Sequence, residues 1–230
     1  MKKIIITGTS RGIGKEVALY LLGKNFTILG ISKKHNINHK NYYPITYDLN
    51  NTKDIKKVID GIILQHKKID SFISNAGYGV FDNLENISEE KIKDFFNVNL
   101  IAHILLSKHL VTHFKKKKTG YFIFIGSEAA IKSSKKATLY SSAKHGLLGF
   151  VKSFQEECNK SNIRVTIINP GMVKTNFFKN LNFEPGKNIQ NYINKNDLVQ
   201  LIDFLLKSNS NINYNDISLS PIKKVISFKK

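Results

Sequence analysis

The chain is poor in several residue types, and each shortage removes a class of protein. It has one cysteine, Cys158, and no tryptophan. A lone cysteine excludes an intramolecular disulfide framework, lacks the spaced partners of a zinc site, and reads as a small apolar filler in a reducing compartment. No stretch approaches the roughly 20 apolar residues of a membrane helix. The opening MKKIIITGTSRGIG has no cleavage site and runs straight into a glycine loop, so the expectation is a soluble, cytoplasmic protein with no membrane partner. Arginine is scarce too. Only Arg11 and Arg164 occur among 36 basic residues, although the net charge is +19 and the pI about 9.8. Such charge suggests weak, salt-sensitive attraction to polyanions. Specific nucleic-acid recognition draws on bidentate arginine contacts, and none is expected here. The dense cluster Lys115 to Lys118 lies between a helical segment and a strand and reads as a solvated turn.

Two chemistries fail for want of partners. His109 and His113 stand four apart, but no HExxH-type glutamate or third ligand accompanies them, so no metal is expected. The surroundings of Ser127, GSEAA, lack the GxSxG elbow of a serine hydrolase.

What remains is a regular alternation. Short apolar runs at 3–7, 26–31, 43–47, 69–74, 121–126, 163–169 and 216–220 have the length and richness of strands buried on both faces. Helical patterns at 12–24, 52–66, 88–114, 138–160 and 195–207 lie between most of them. Strand and helix taking turns predicts an α/β fold over 1–230, a single-domain doubly wound parallel sheet of Rossmann type, with about seven strands and helices on both faces. The segment 172–195 is long for a loop, follows the sixth strand, and carries Phe177, Phe178, Leu181 and Phe183. A substrate-covering role is expected for it.

Two groups of residues carry chemistry. Gly8, Gly12 and Gly14 follow the first strand and open a helix, where glycine permits a tight turn and the helix N-terminus offers free N–H groups to a phosphate. Tyr140 and Lys144 stand four apart in a helical stretch, so a phenol and an ammonium share one face. Ser127 precedes the tyrosine by thirteen residues. A tyrosine beside a fixed positive charge is a better acid and base near neutrality, and these residues suggest hydride exchange between a nicotinamide cofactor and a carbonyl or alcohol.

TGTSRGIG, the NAG of Asn75 to Gly77, the NVN ending at Asn99, Ser127, the YSSAK of Tyr140 to Lys144, and NPGMVKT from Asn169 resemble the short-chain dehydrogenases/reductases over about residues 3–180. The resemblance implies that Tyr140 is the general acid or base, that Lys144 holds the nicotinamide ribose, and that Ser127 binds the substrate oxygen. Asn99 would interrupt its helix and hold a water in a proton relay. It further implies that Gly8, Ser10, Arg11, Gly12, Ile13 and Gly14 line the diphosphate and adenosine ribose. Asp48 and Leu49 would flank the adenine, Asn75, Ala76 and Gly77 would lie beneath the adenosine ribose, and Pro170, Gly171, Val173 and Thr175 would face the nicotinamide. Ser74 stands where the family usually has another asparagine.

The positions after the second strand, Ser32, Lys33 and Lys34, bear no carboxylate, and Arg11 adds a cation, so NADP(H) is expected over NAD(H). Reduction of a ketone or aldehyde is the expected direction, with a 3-oxoacyl thioester as one candidate. The family likeness implies a homodimer or homotetramer. The rival readings are a sugar-nucleotide epimerase or dehydratase, which the chain's length and glycine spacing oppose, and a non-catalytic NADP-sensing protein, which the presence of Tyr140 opposes.

Overall fold

All seven apolar runs become strands of one parallel sheet. The computed structural model describes residues 1–229. Strands β1 (Lys3–Thr7), β2 (Thr27–Ser32), β3 (Tyr42–Thr46), β4 (Ser71–Ser74), β5 (Gly120–Ile125), β6 (Ile163–Pro170) and β8 (Asp216–Leu219) lie in the order β3-β2-β1-β4-β5-β6-β8. From β1 the chain builds outward to β3, then returns to place β4 on the other side of β1. The strand order therefore reverses between β1 and β4, which opens a crevice at their carboxyl ends.

Period-two alternation divides the core into two layers. Ile5, Phe72, Phe122, Phe124 and Ile167 point to one face, under α2 (Ile55–His66), α4 (Ala102–Lys117) and α5 (Thr138–Cys158). Ile4, Ile6, Ile123, Ile125 and Ile168 point to the other, under α1 (Gly12–Gly23) and α6 (Lys195–Lys207). Every residue of β2, β4 and β5 is buried, as expected of strands covered on both sides. Pro44 is accommodated because β3 is an edge strand, where a missing N–H breaks no ladder.

The structure departs from the sequence expectation in three places. The helix expected over 88–114 is α3 (Glu89–Phe96) and α4, joined by a π-helical turn at Asn97–Ile101. The lysine cluster is no loop. Lys115 to Lys117 form the last turn of α4, where cations meet the negative end of the helix dipole, and Lys118 ends the helix at φ 55°. Lys117 also pairs with Asp70 at 2.5 Å. Finally, the long segment after β6 contains β7 (Phe183–Pro185), which pairs antiparallel with a ninth strand, β9 (Ile226–Phe228), near the end of the chain.

Phe122 sits at the centre of the larger layer, its ring 4.9 Å from Phe114, 5.0 Å from Phe154 and 6.0 Å from Phe72. Phe122→Ala is expected to lower unfolding stability by about 3 to 5 kcal/mol, the usual range for an emptied aromatic site. Equilibrium chemical denaturation checks it, and a loss under about 1 kcal/mol would contradict this account of the core.

Candidate active site

The glycine loop is shaped by close approach. Gly8 has φ +77° and Gly12 φ +62°, a region side chains rarely adopt. A Cβ on Gly14 would lie 2.5 Å from both the Gly8 carbonyl oxygen and the Asn75 side-chain nitrogen, so only glycine lets α1 come this near β1. Ile13 packs into the α1/α6 layer. Arg11 occupies the N-cap of α1 in extended geometry without a side-chain cap, and no acidic residue lies in the first turn. The leading N–H groups and dipole of α1 are thus directed at a cleft of about 770 Å³, whose walls include Ser10, Arg11, Gly12, Lys15, Lys174 and Thr175, together with Glu184 and the Glu16–Lys195 pair. The space a Cβ of Gly12 would take is open. These features fit a dinucleotide diphosphate.

The turn after β4 is braced against β1. The N–H groups of Asn75 and Ala76 both donate to Thr7 Oγ1, at 2.9 and 3.0 Å, and the Asn75 side chain donates to the Thr7 carbonyl at 2.9 Å. Beyond Gly77, the Tyr78 N–H donates to Asn99 Oδ1 at 3.1 Å, and Asn99 Nδ2 donates to the Phe95 carbonyl at 3.0 Å. Asn99 is fully buried in the π turn, at the break in the helix that the family resemblance implies for it. Asn97 turns away to Asn50, at 3.1 Å. Thr7 opens the glycine motif TGTSRGIG, but its part in this brace emerges only from the pairing of β1 with β4.

At the end of β2, Ser32 is buried and Leu49 joins the core. Lys33, expected to face the cofactor, pairs with Asp48 at 2.8 Å, so two residues assigned to different parts of the cofactor are joined to each other. The loop that follows is tied to the glycine loop by Asn36, which donates to the Ser10 carbonyl at 3.1 Å.

Ser127 leaves the end of β5. Its N–H donates to Asn169 Oδ1 at 3.2 Å, and Asn169 in turn donates to Asp216 at 2.8 Å. A Cβ on Gly126 would meet Asn169 Oδ1 at 2.1 Å, so Gly126 and Asn169 set the position of the serine together. Tyr140 lies in the first turn of α5 and Lys144 one turn further on, only 4% exposed. The Lys144 ammonium donates to the Ile125 carbonyl at 3.1 Å and sits 5.8 Å from the centre of the Tyr140 ring.

Burial pushes the Tyr140 phenol up, the Ser127 hydroxyl beside it pulls down, and the charge of Glu128 adds to the rise. The Lys144 ammonium is turned to a backbone carbonyl. Burial alone brings Lys144 down to about 8.

The segment after β6 covers this site. Gly171 donates its N–H to the Leu219 carbonyl at 2.7 Å beside Pro170, Val173 is buried in a bridge with Ile193, and Thr175 Oγ1 accepts from the Phe177 N–H at 3.1 Å. The ring of Tyr140 lies 5.2 Å from Phe81 and 5.8 Å from Phe177, and Phe183 lies 5.0 Å from Phe81. The phenol therefore stands in an aromatic chamber made by the loop after β4 and the segment after β6.

Lys144 generates a pH-dependent prediction. An unfolded chain holds its lysine protons to about 10.5, so between pH 8 and that value the unfolded state binds more protons and stability rises with pH. Below pH 8 the buried charge costs on the order of 3 kcal/mol. Lys144→Met removes that cost but loses a hydrogen bond, so it is expected to stabilise the protein by roughly 2 kcal/mol at pH 7, with the gain shrinking as pH rises. Denaturation at several pH values measures it, and equal stability at pH 7 would sink the buried-charge account.

A family model described as short chain dehydrogenase matches residues 2–185. The 3-oxoacyl-[acyl-carrier-protein] reductase of Buchnera aphidicola subsp. Schizaphis graminum is 31% identical over 188 residues, 79% of this chain and 77% of that protein. The reductase of the same name from Buchnera aphidicola subsp. Baizongia pistaciae is 34% identical over 203 residues, 84% of this chain and 82% of that protein. Among solved structures, an alcohol dehydrogenase from Thermococcus sibiricus, complexed with 5-hydroxy-NADP, superposes with a TM-score of 0.85 at 23% identity, covering 96% of this chain and 97% of that one. Fold, motif order and these matches agree that the chain belongs to the short-chain dehydrogenase/reductase family, oxidoreductases that act on carbonyl and hydroxyl groups with a nicotinamide cofactor.

Proposed function

We propose that the protein is an NADP(H)-dependent reductase that converts a ketone to an alcohol, with a 3-oxoacyl thioester as the favoured substrate. The observation that carries this reading is the Tyr140 phenol beside the Ser127 hydroxyl, one helical turn from the buried Lys144 ammonium, inside an aromatic chamber at the carboxyl ends of β5 and β6. When bound, the nicotinamide supplies the hydride. Ser127 hydrogen-bonds the substrate oxygen and stabilises the charge that develops there. Tyr140 gives that oxygen its proton. Lys144 keeps a positive charge beneath the phenol and offers its ammonium to the cofactor ribose, and Asn99 holds the relay water that returns a proton to this pair.

Gly8, Ser10, Arg11, Gly12, Ile13 and Gly14 hold the diphosphate side of the cofactor, Asn75 to Gly77 and Asp48 with Leu49 its adenosine, and Pro170, Gly171, Val173 and Thr175 its nicotinamide. Arg11, Lys33 and Lys34 favour the 2′-phosphate of NADP, while no carboxylate at 32 to 34 accepts from an NAD ribose. The segment 172–195 covers the substrate. The names of the Buchnera relatives and the apolar walls of the chamber support an oxoacyl group, and the basic surface suits an acidic carrier. A cytoplasmic homo-oligomer completes the proposal.

Two measurements test it. Tyr140→Phe is expected to lower kcat for carbonyl reduction by about 1000-fold while NADPH affinity stays within about threefold, since general acid catalysis is worth that much and the ring is retained. Turnover near the wild-type rate in this variant overturns the assignment. Asp48→Asn frees Lys33 and is expected to tighten NADPH about threefold without changing NADH, the worth of one exposed ion pair. Nicotinamide fluorescence titration reads both constants, and an equal change for the two cofactors would remove Lys33 from the recognition of the phosphate.

A further inference from the structure

One buried histidine stands outside the machinery described so far. His103, one helical turn beyond Asn99, is 1% exposed, and Ser74, the last residue of β4, is 0% exposed. Ser74 Oγ lies 2.5 Å from His103 Nδ1, and His103 Nε2 lies 2.9 Å from the Ala76 carbonyl oxygen. A carbonyl can only accept, so the Nε2 carries the hydrogen of the neutral ring. Nδ1 is then the acceptor, and the Ser74 hydroxyl is the donor. Both ring nitrogens are committed to these bonds, and the imidazole has no free proton-transfer position.

We infer that His103, through Ser74 and the Ala76 carbonyl, is a positioning residue that holds the Asn75–Gly77 turn in register for the cofactor. Ala76 is gripped from two sides, its N–H by Thr7 Oγ1 at 3.0 Å and its carbonyl by the imidazole at 2.9 Å. One residue past Gly77, the Tyr78 N–H is held by Asn99 Oδ1. A Cβ on Gly77 would come within 2.8 Å of that same oxygen, so the turn has no slack toward α4. Asn99 and His103, four residues apart, share the face of the π turn and α4 that meets the turn, and together they fix both sides of Gly77. Ser107 Oγ donates to the His103 carbonyl at 2.8 Å and steadies the ring's own backbone. Burial, with the nearby Lys144 charge acting the same way, brings the imidazole down to about 3, so the neutral bridge persists throughout the physiological range.

This inference rests on the reading of the turn as part of the cofactor site, and the test separates the two. His103→Leu removes both bonds, whereas the side-chain amide of His103→Gln again presents a donor and an acceptor. Against the wild type, His103→Leu is expected to weaken NADPH by about tenfold while kcat at saturating NADPH stays within about threefold, and His103→Gln is expected to recover most of the affinity. Amide hydrogen exchange at Gly77 and Tyr78 is expected to quicken about tenfold in His103→Leu and not in His103→Gln. Equal loss of thermal stability in both variants, with unchanged NADPH affinity and unchanged exchange, would reduce His103 to core packing and overturn the inference. If His103→Leu does not fold, Ser74→Ala decides by the same two measurements, with a weakening of about threefold expected and no change overturning it. A wild type that binds neither dinucleotide defeats the functional reading, and hydrogen exchange still decides whether the bridge holds the turn.

Discussion

The contact between the first strand and the turn after the fourth underlies everything else in this molecule. Thr7 uses its hydroxyl and its carbonyl to receive three N–H groups from Asn75 and Ala76. That brace spans the point where the strand order reverses, so it fixes the floor of the crevice between the two halves of the sheet. Gly8 and Gly14 press against the same Asn75 side chain, which brings the start of α1 into the crevice with its N–H groups forward. A longer side chain at Gly14 would separate helix, strand and turn at once.

The second organising feature is a charge kept where water cannot reach it. Lys144 accepts a large desolvation cost, partly offset by the Ile125 carbonyl, and in return a cation lies one helical turn from the phenol. The phenol is also shielded, by Phe81 and Phe177, and burial pushes it up from its ordinary range. Stability and chemistry pull in opposite directions at this residue, as is common in sites built for catalysis. Most of the protein's excess positive charge is of another kind. Pairs such as Lys33–Asp48 and Lys56–Asp60 are exposed and contribute little to folding, so the surplus acts through the field it presents to anionic ligands.

The cover over the phenol depends on the far end of the chain. Gly186 donates to the Val225 carbonyl, Lys229 donates its N–H to the Asn182 carbonyl, and the Lys229 ammonium reaches the Phe178 carbonyl. Lys224 pairs with Glu128, next to Ser127, at 2.5 Å. The aromatic wall is thus secured by residues some fifty positions further along the chain.

The sheet was legible in the sequence because parallel strands buried on both faces must be short and almost wholly apolar, and runs such as KIIIT and YFIFIG can be little else. The residues of the proposed site were legible because Tyr140 and Lys144 depend on a spacing that one helix alone enforces, and the glycine loop on backbone angles that few residues adopt. Other features required the folded chain. Thr7, Asn169 and His103 act through partners forty or more, or nearly thirty, residues away, and those partners cannot be read from the chain until the strands align. β7 and β9 are only three residues each and pair across some forty others, too little local pattern to announce a hairpin. The pairing of Lys33 with Asp48 and the turning of Lys144 to a backbone carbonyl were likewise decided by tertiary structure, because a charge's partner is set by distance in space. Local geometry is written in the order of residues, whereas hydrogen-bond partners and pKa values belong to the neighbours that folding supplies.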